Sequence, residues 1–410
     1  MRHPKTQLAA ALVLLLPLFG APGFAEPVLN PAVAPTEVMD EIGAIVRREF
    51  FHPPSLAAFD AAEGRLKALA ADGRLAEASS RWLETLGATH TGRFTPDGID
   101  YFELSEVFHR GIRNRQELFP PDGVVTYPGI GIVPRTIEGK LFAADVYDGG
   151  PAARAGVLPG DEILSVDGQP YAPIGSFQGK AGGSVSLLIR RAADAGPVAI
   201  QVPVEVLQPR DVFLKAIRES ARVIEQDGRR IGYLRIWAFA FNGVEDLIAE
   251  LLTSEPLSGA DGLVLDMLGR WGGAPADAAD MFVGRAPHMT VTDREGEEHV
   301  ANMRWQKPVV GIIDEGSRSG MEILAYGLKK AGVPLVGTRT AGAVVAGRAF
   351  RLKDNSLLEV AVLDVHVDGE RLEGKGVSPD VEMPFDLRYA AGADPQLDRA
   401  VEEMLAVLGD

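Results

Sequence analysis

Apolar residues recur at helical spacing in three stretches near the start of the chain: Thr36 to Phe50, Ala57 to Leu69 and Leu75 to Leu86. Each puts its apolar side chains on one face, so a small helical unit closing near Phe94 is predicted. Residues 95–123 look less regular, and Pro120-Pro121-Asp122-Gly123 reads as a boundary. From Val124 to about Val206 the texture changes to short strands between Gly-rich turns. Residues 208–228 read as a helical linker charged along its face. Beyond Arg229 the two periods alternate. Ile231 to Phe241, Gly262 to Met267, Pro308 to Ile313, Val333 to Val336 and Leu357 to Val367 read as strands. Val244 to Leu252, Ser319 to Ala331 and Pro395 to Leu408 read as helices. Alternation of this kind predicts an α/β layer with parallel strands.

The first 25 residues differ from all of this. Arg2 and Lys5 precede an apolar run from Leu8 to Phe19, and small residues lead to Gly23-Phe24-Ala25 before Glu26. This is the pattern of a secretory signal, too short for a comfortable membrane span, so residues 1–25 are expected to be removed on export to a periplasmic or extracellular space. The remaining chain divides into a helical region over 26–123, a strand-rich module over 124–207 and an α/β core over 208–410. With 410 residues there is ample chain for a large core. The absence of cysteine excludes disulfides, thiolate metal sites and a cysteine nucleophile. A formal net charge of −16 argues against general nucleic-acid binding.

Candidate chemistry lies in four places. In the strand-rich module, Gly129-Ile130-Gly131-Ile132 precedes Gly149-Gly150-Pro151-Ala152 and Leu158-Pro159-Gly160-Asp161. This predicts a small β-barrel with a short helix at Pro151 to Ala155. The glycine loop can expose N–H groups to a peptide's terminal carboxylate, beside a strand edge that pairs with the peptide. In the core, Leu263 to Met267 runs into Leu268-Gly269-Arg270-Trp271-Gly272-Gly273, a glycine turn whose free amides suit an oxyanion hole. Arg270 is a candidate for a substrate carboxylate or a plain surface arginine. Next, Asp314-Glu315-Gly316-Ser317-Arg318-Ser319-Gly320 places Ser319 at the start of a helix, where aligned N–H groups favour an alkoxide-like nucleophile and equally suit an N-cap. Last, Leu372-Glu373-Gly374-Lys375-Gly376-Val377-Ser378-Pro379-Asp380 is a turn into a final strand.

The strand-rich module resembles a PDZ domain. Together with it, these segments and Ile231-Gly232-Tyr233-Leu234-Arg235-Ile236 resemble the C-terminal processing peptidases, also called tail-specific proteases. The resemblance implies a crotonase-related α/β protease core, with Ser319 as nucleophile and the amides of Gly272, Gly273 and Gly320 as oxyanion donors. The best-known branch supplies its base as a lysine in a Gly-Lys-Gly turn, but here Gly337-Thr338-Arg339-Thr340-Ala341-Gly342-Ala343-Val344 puts Ala343 at that position. A tricorn-like branch takes its base from an N-terminal histidine instead. Ala88-Thr89-His90-Thr91 resembles that segment, and Glu373 matches the acidic residue before the last turn. The implied set is Ser319 as nucleophile, His90 as base, Glu373 as acidic member and Thr89 as supporting hydroxyl.

Three answers for the base remain open: His90, a displaced lysine such as Lys375, or none. His366 is the reserve histidine, and Lys329 and Lys330 read as solvated or ion-paired. No metal or nucleotide motif occurs, so no cofactor is expected. Two functions follow. One is an exported serine endopeptidase that recruits proteins by their free C-termini through the PDZ module, acting with or without an adaptor or as a homo-oligomer. The other is a degenerate relative that binds peptides without cutting them.

Overall fold

The computed structural model describes residues 27–284, 290–300 and 304–409. The signal-like residues 1–25 lie outside that range.

The core is built on a six-stranded sheet, in the spatial order Val381–Glu382, Leu335–Gly337, Val309–Ile313, Gly262–Asp266, Arg229–Arg235 and Arg222–Gln226. All neighbours are parallel except the last pair. Both central strands are buried at every residue, as a parallel sheet covered on both faces requires. Alternate side chains serve opposite layers. Val264, Val310 and Val336 pack under Ala400, Val401 and Met404 of the closing helix Pro395–Gly409. Leu263, Leu265 and Ile313 face the helices Val244–Thr253 and Gly320–Lys330.

Helices Pro35–Glu49, Leu56–Ala71 and Leu75–Glu84 form the N-terminal unit, with Trp82 stacked on Phe59 at 4.2 Å. Their apolar faces rest on a three-stranded sheet of Gly92–Phe94, Leu357–Asp364 and Val345–Arg351. Two of those strands come from the far end of the chain. The pairing of Gly92 with Glu359 therefore fastens the N-terminal region to the core.

The inserted module is an antiparallel meander of five strands: Ile132–Ile137, Lys140–Val146, Glu162–Val166, Ser184–Arg190 and Val198–Pro203. Its entry and exit are joined, because Tyr127–Gly129 pairs antiparallel with Glu205–Leu207. It sits against the core through Arg235 with Asp145 at 3.2 Å, Trp237 Nε1 donating to Asp148 at 3.0 Å and the Tyr389 hydroxyl donating to Glu162 at 2.8 Å.

Four sequence expectations are corrected. The helix after the module stops at Ser220, and Arg222–Gln226 is an edge strand. Its hairpin turns at Asp227-Gly228, both with positive φ, and Asp-Gly was the legible signal for such a turn. Residues 95–123 hold the helix Ile99–Val107, buried at Ile99 and from Tyr101 to Glu106. A helix covered all round has no amphipathic period to read. Phe94 ends a strand rather than a helical unit. The strand from Ile231 is regular only to Arg235; beyond it Ala238 makes a single bridge to Trp271.

Candidate active site

The strand Val309–Ile313 ends in the loop 314–318, and Ser319 opens the helix Gly320–Lys330. Ser319 has φ 57° and ψ −128°, a conformation costly for any residue with a Cβ. Such strain persists only where the surroundings enforce it, and here they are specific. Ser317 is buried, with its Oγ donating to the Met267 carbonyl at 2.9 Å. The Ser319 amide donates to the Ala343 carbonyl at 2.9 Å and towards Glu322 Oε1 at 3.2 Å.

Glu322 organises this half of the site. Fully buried, it also accepts from the amides of Gly342 at 2.8 Å and Ala343 at 2.7 Å, and from the Thr340 hydroxyl at 2.5 Å. Burial raises its carboxyl above the usual range, and these donors work against that rise. Sequence reading passed over Glu322. The signal was Ser319-Gly320-Met321-Glu322, the Ser-x-x-Glu spacing of a capping box.

The glycine turn after Gly262–Asp266 lies directly against this elbow. A Cβ on Gly272 would stand 2.5 Å from the Gly320 amide nitrogen, and one on Gly320 would stand 2.6 Å from that of Gly273. Only glycine permits the approach. Among the described residues the amides of Gly272, Gly273 and Gly320 donate to no protein acceptor. They cluster beside Ser319.

A cavity of about 480 Å³ joins Ser319, Gly272 and Gly273 to Thr89 and His90 from the N-terminal unit, with Arg318 and Glu359 also on its wall. His90 has φ 51° and follows directly on Thr89. The Thr89 amide donates to Glu373 Oε1 at 3.0 Å and its hydroxyl donates to Glu373 Oε2 at 2.9 Å. Glu373, only 8% exposed, also accepts from the Val344 amide at 2.7 Å. Thr89 Oγ1 lies 3.1 Å from His90 Nδ1. A carboxylate only accepts, so the hydroxyl proton of Thr89 belongs to Glu373. The Thr89 oxygen then accepts from Nδ1–H, which leaves Nε2 of His90 with its lone pair free. Burial, and secondarily the Arg318 cation, push His90 down to about 4. No hydrogen bond joins Ser319 Oγ to His90, although both face the same cavity.

The other candidates lie elsewhere. Lys375 is exposed and does not line the cavity. Lys329 pairs with Asp380 at 2.8 Å and Lys330 with Glu370 at 3.5 Å. His366 is exposed in a two-residue strand. Arg270 is neither a free carboxylate receptor nor a surface arginine. It is largely covered and held between Asp100 and Glu103, with Glu103 at 2.9 Å. Glu103 also accepts from Trp271 Nε1 at 2.6 Å and the Tyr147 hydroxyl at 2.7 Å. Arg270 and Trp271 therefore clamp the glycine turn to the helix Ile99–Val107. Glu103 and Glu359 were also passed over. Glu359 interrupts the apolar run Leu357 to Val362, and that lone charge was its only signal.

In the module, Gly131 has φ 76°, and the amides of Ile130 and Gly131 donate to no protein acceptor among the described residues. The side chains of Ile130 and Ile132 are buried in the module core, so this loop presents backbone alone. The following strand, Ile132–Ile137, is an edge of the sheet. Among the described residues no cluster of three or more His, Asp or Glu side chains is arranged to hold a metal ion, and no helix is long and apolar enough to cross a membrane.

Residues 230–383 match the profile of Peptidase family S41, and residues 142–191 match that of the PDZ domain. The carboxy-terminal processing protease CtpB of Bacillus subtilis is 26% identical over 65% of this chain and 57% of its own length. For the chloroplastic carboxyl-terminal-processing peptidase 3 of Arabidopsis thaliana the figures are 28%, 79% and 60%. For the tricorn protease homolog 1 of Streptomyces coelicolor they are 28%, 72% and 28%. The chain thus spans about three fifths of the first two relatives. Among solved structures, the photosystem II D1 C-terminal processing protease superposes with a TM-score of 0.50 at 20% identity, covering 89% of this chain and 99% of its own. The tricorn protease superposes at 0.51 and 18% identity, covering 92% of this chain and 37% of its own. At such identities the structural likeness speaks for the fold.

Proposed function

The chain belongs to the C-terminal processing peptidases of family S41 and carries their PDZ domain, and on that premise we propose that it is an exported serine endopeptidase acting through Ser319. The observation that carries this reading is the backbone of Ser319. A non-glycine residue held at φ 57° on a strand-to-helix elbow projects its hydroxyl into the cavity that His90 also lines. In this reading Ser319 Oγ attacks the scissile carbonyl and its proton passes to Nε2 of His90. The Thr89 hydroxyl holds Nδ1–H in place, and Glu373 fixes that hydroxyl. The amides of Gly272, Gly273 and Gly320 face the developing oxyanion. His90 then returns its proton to the leaving amine, and water releases the acyl group by the same steps in reverse order of partners.

The chain divides functionally into 26–123 as bearer of the histidine, 124–207 as the substrate-recruiting PDZ module and 208–410 as the crotonase-related core. The Ile130 and Gly131 amides receive the substrate's terminal carboxylate, and the edge strand from Ile132 pairs with its tail.

The test is cleavage of a protein carrying an exposed apolar C-terminal tail, with products mapped by mass spectrometry. Ser319→Ala and His90→Ala should both abolish cutting, while Lys375→Ala should not. Loss of cutting in Lys375→Ala alone would move the base to that lysine. A wild-type protein that binds the tail and never cuts it would be the degenerate relative, which the replacement of the family lysine by Ala343 favours.

A further inference from the structure

Arg318 stands directly before Ser319 and lines the same cavity as Ser319, His90 and Glu359. Its backbone is pinned. Ser317 is anchored to Met267, and the Arg318 carbonyl accepts from the Met321 amide at 3.1 Å. The side chain is half-buried, yet among the described residues its guanidinium makes no hydrogen bond and no ion pair. Other well-covered arginines have carboxylate partners. Arg270 has Glu103 and Asp100, Arg93 has Asp354 at 2.5 Å and Ser356, and Arg235 has Asp145 and the Leu268 carbonyl.

The acids on the same wall do not answer Arg318. Asp100 is committed to Arg270. Glu359 is 6% exposed, and its carboxyl makes no hydrogen bond among the described residues. Burial pushes its carboxyl up to about 7, against the pull of Arg318. A guanidinium half out of water without a counter-charge is costly, and its planar fork matches a carboxylate in two parallel hydrogen bonds. The cation is therefore unspent next to the nucleophile.

We propose that Arg318 is a specificity-determining residue that receives a carboxylate of the substrate close to the scissile bond. That carboxylate is either an acidic side chain or the free C-terminus. The proposal rests on Ser319 being the nucleophile.

The experiment uses the full chain and matched fluorescence-quenched peptides. Single positions on either side of the bond carry Asp or Glu, or their amides, and each peptide has a free or an amidated C-terminus. In parallel, peptidyl diphenyl phosphonates with Asp or Asn at the reacting position label the serine, with the rate and site read by mass spectrometry. Wild type should favour the carboxylate over its amide by roughly 10- to 100-fold in kcat/KM at one position. The ratio should fall towards one in Arg318→Gln and be partly kept in Arg318→Lys. A preference confined to free C-termini identifies the terminal carboxylate; one at an internal position identifies an acidic side chain. A wild-type ratio near one, or a ratio unchanged in Arg318→Gln, overturns the proposal. Failure of both probes to react at Ser319 overturns instead the nucleophile reading beneath it.

Discussion

Two glutamates hold the two halves of the site, and they do so by different routes. Glu322 lies three residues from Ser319 and gathers donors from 319, 340, 342 and 343, all within one stretch of the core. Glu373 lies 284 residues from Thr89 and holds the histidine segment through that threonine's amide and hydroxyl. The two meet at a shared strip of backbone, since Ala343 bonds to Glu322 and Val344 to Glu373. The serine half is thus a local construction, while the histidine half exists only when the N-terminal unit is docked. The strand pairing of Gly92 with Glu359 and the helices packed on Leu358 and Val360 perform that docking.

The sharpest way to break the comparison is at its centre. Ser319→Ala should cost roughly 10,000-fold or more in kcat with the fold intact, measured by tail cleavage beside circular dichroism. Glu322→Gln should damage stability before chemistry. It leaves several buried donors facing a side chain with one acceptor oxygen, and a loss of about 3 kcal/mol is expected in denaturant unfolding. Glu373→Gln and Thr89→Val should do the opposite. They should lower kcat by roughly 100-fold with little change in KM, because they release the His90 tautomer without touching substrate. Equal stability losses in Glu322→Gln and Glu373→Gln would erase the distinction between the halves.

The smallest expected effect is in the pH profile. In the proposed mechanism His90 must be neutral to accept the serine proton, and burial holds it down at about 4. Activity should therefore persist through mildly acidic pH and fall only as pH drops through about 4. Arg318 is the second cause of that depression, so Arg318→Gln should move the acidic limb of kcat/KM upward. An acidic limb near the ordinary histidine value in wild type would mean that His90 is not buried as described.

How far the sequence reaches follows the same division. Ser319, Gly272 and Gly273 were legible because a buried strand running into a glycine turn, or into a small-residue loop before a helix, is a short-range pattern. Thr89, His90 and Glu373 entered only through likeness to a family, since nothing in their local spacing connects them. In sequence Arg270 read as a carboxylate receptor or a surface arginine, and Arg318 carried no signal of its own. One is saturated by Glu103 and Asp100 from a helix whose all-round burial hid it, and the other faces the cleft without a partner.

By itself, then, the sequence determined the α/β core, the strand-rich insertion and the serine elbow with its glycine turn. Hydrophobic period and turn chemistry act over a few residues and can be read there. Tertiary structure alone decided that the histidine shares a cavity with the serine, which glutamate supports which half, and which arginine keeps its charge uncommitted. Those outcomes depend on which distant strands pair and which donors burial forces together, and local pattern does not encode either.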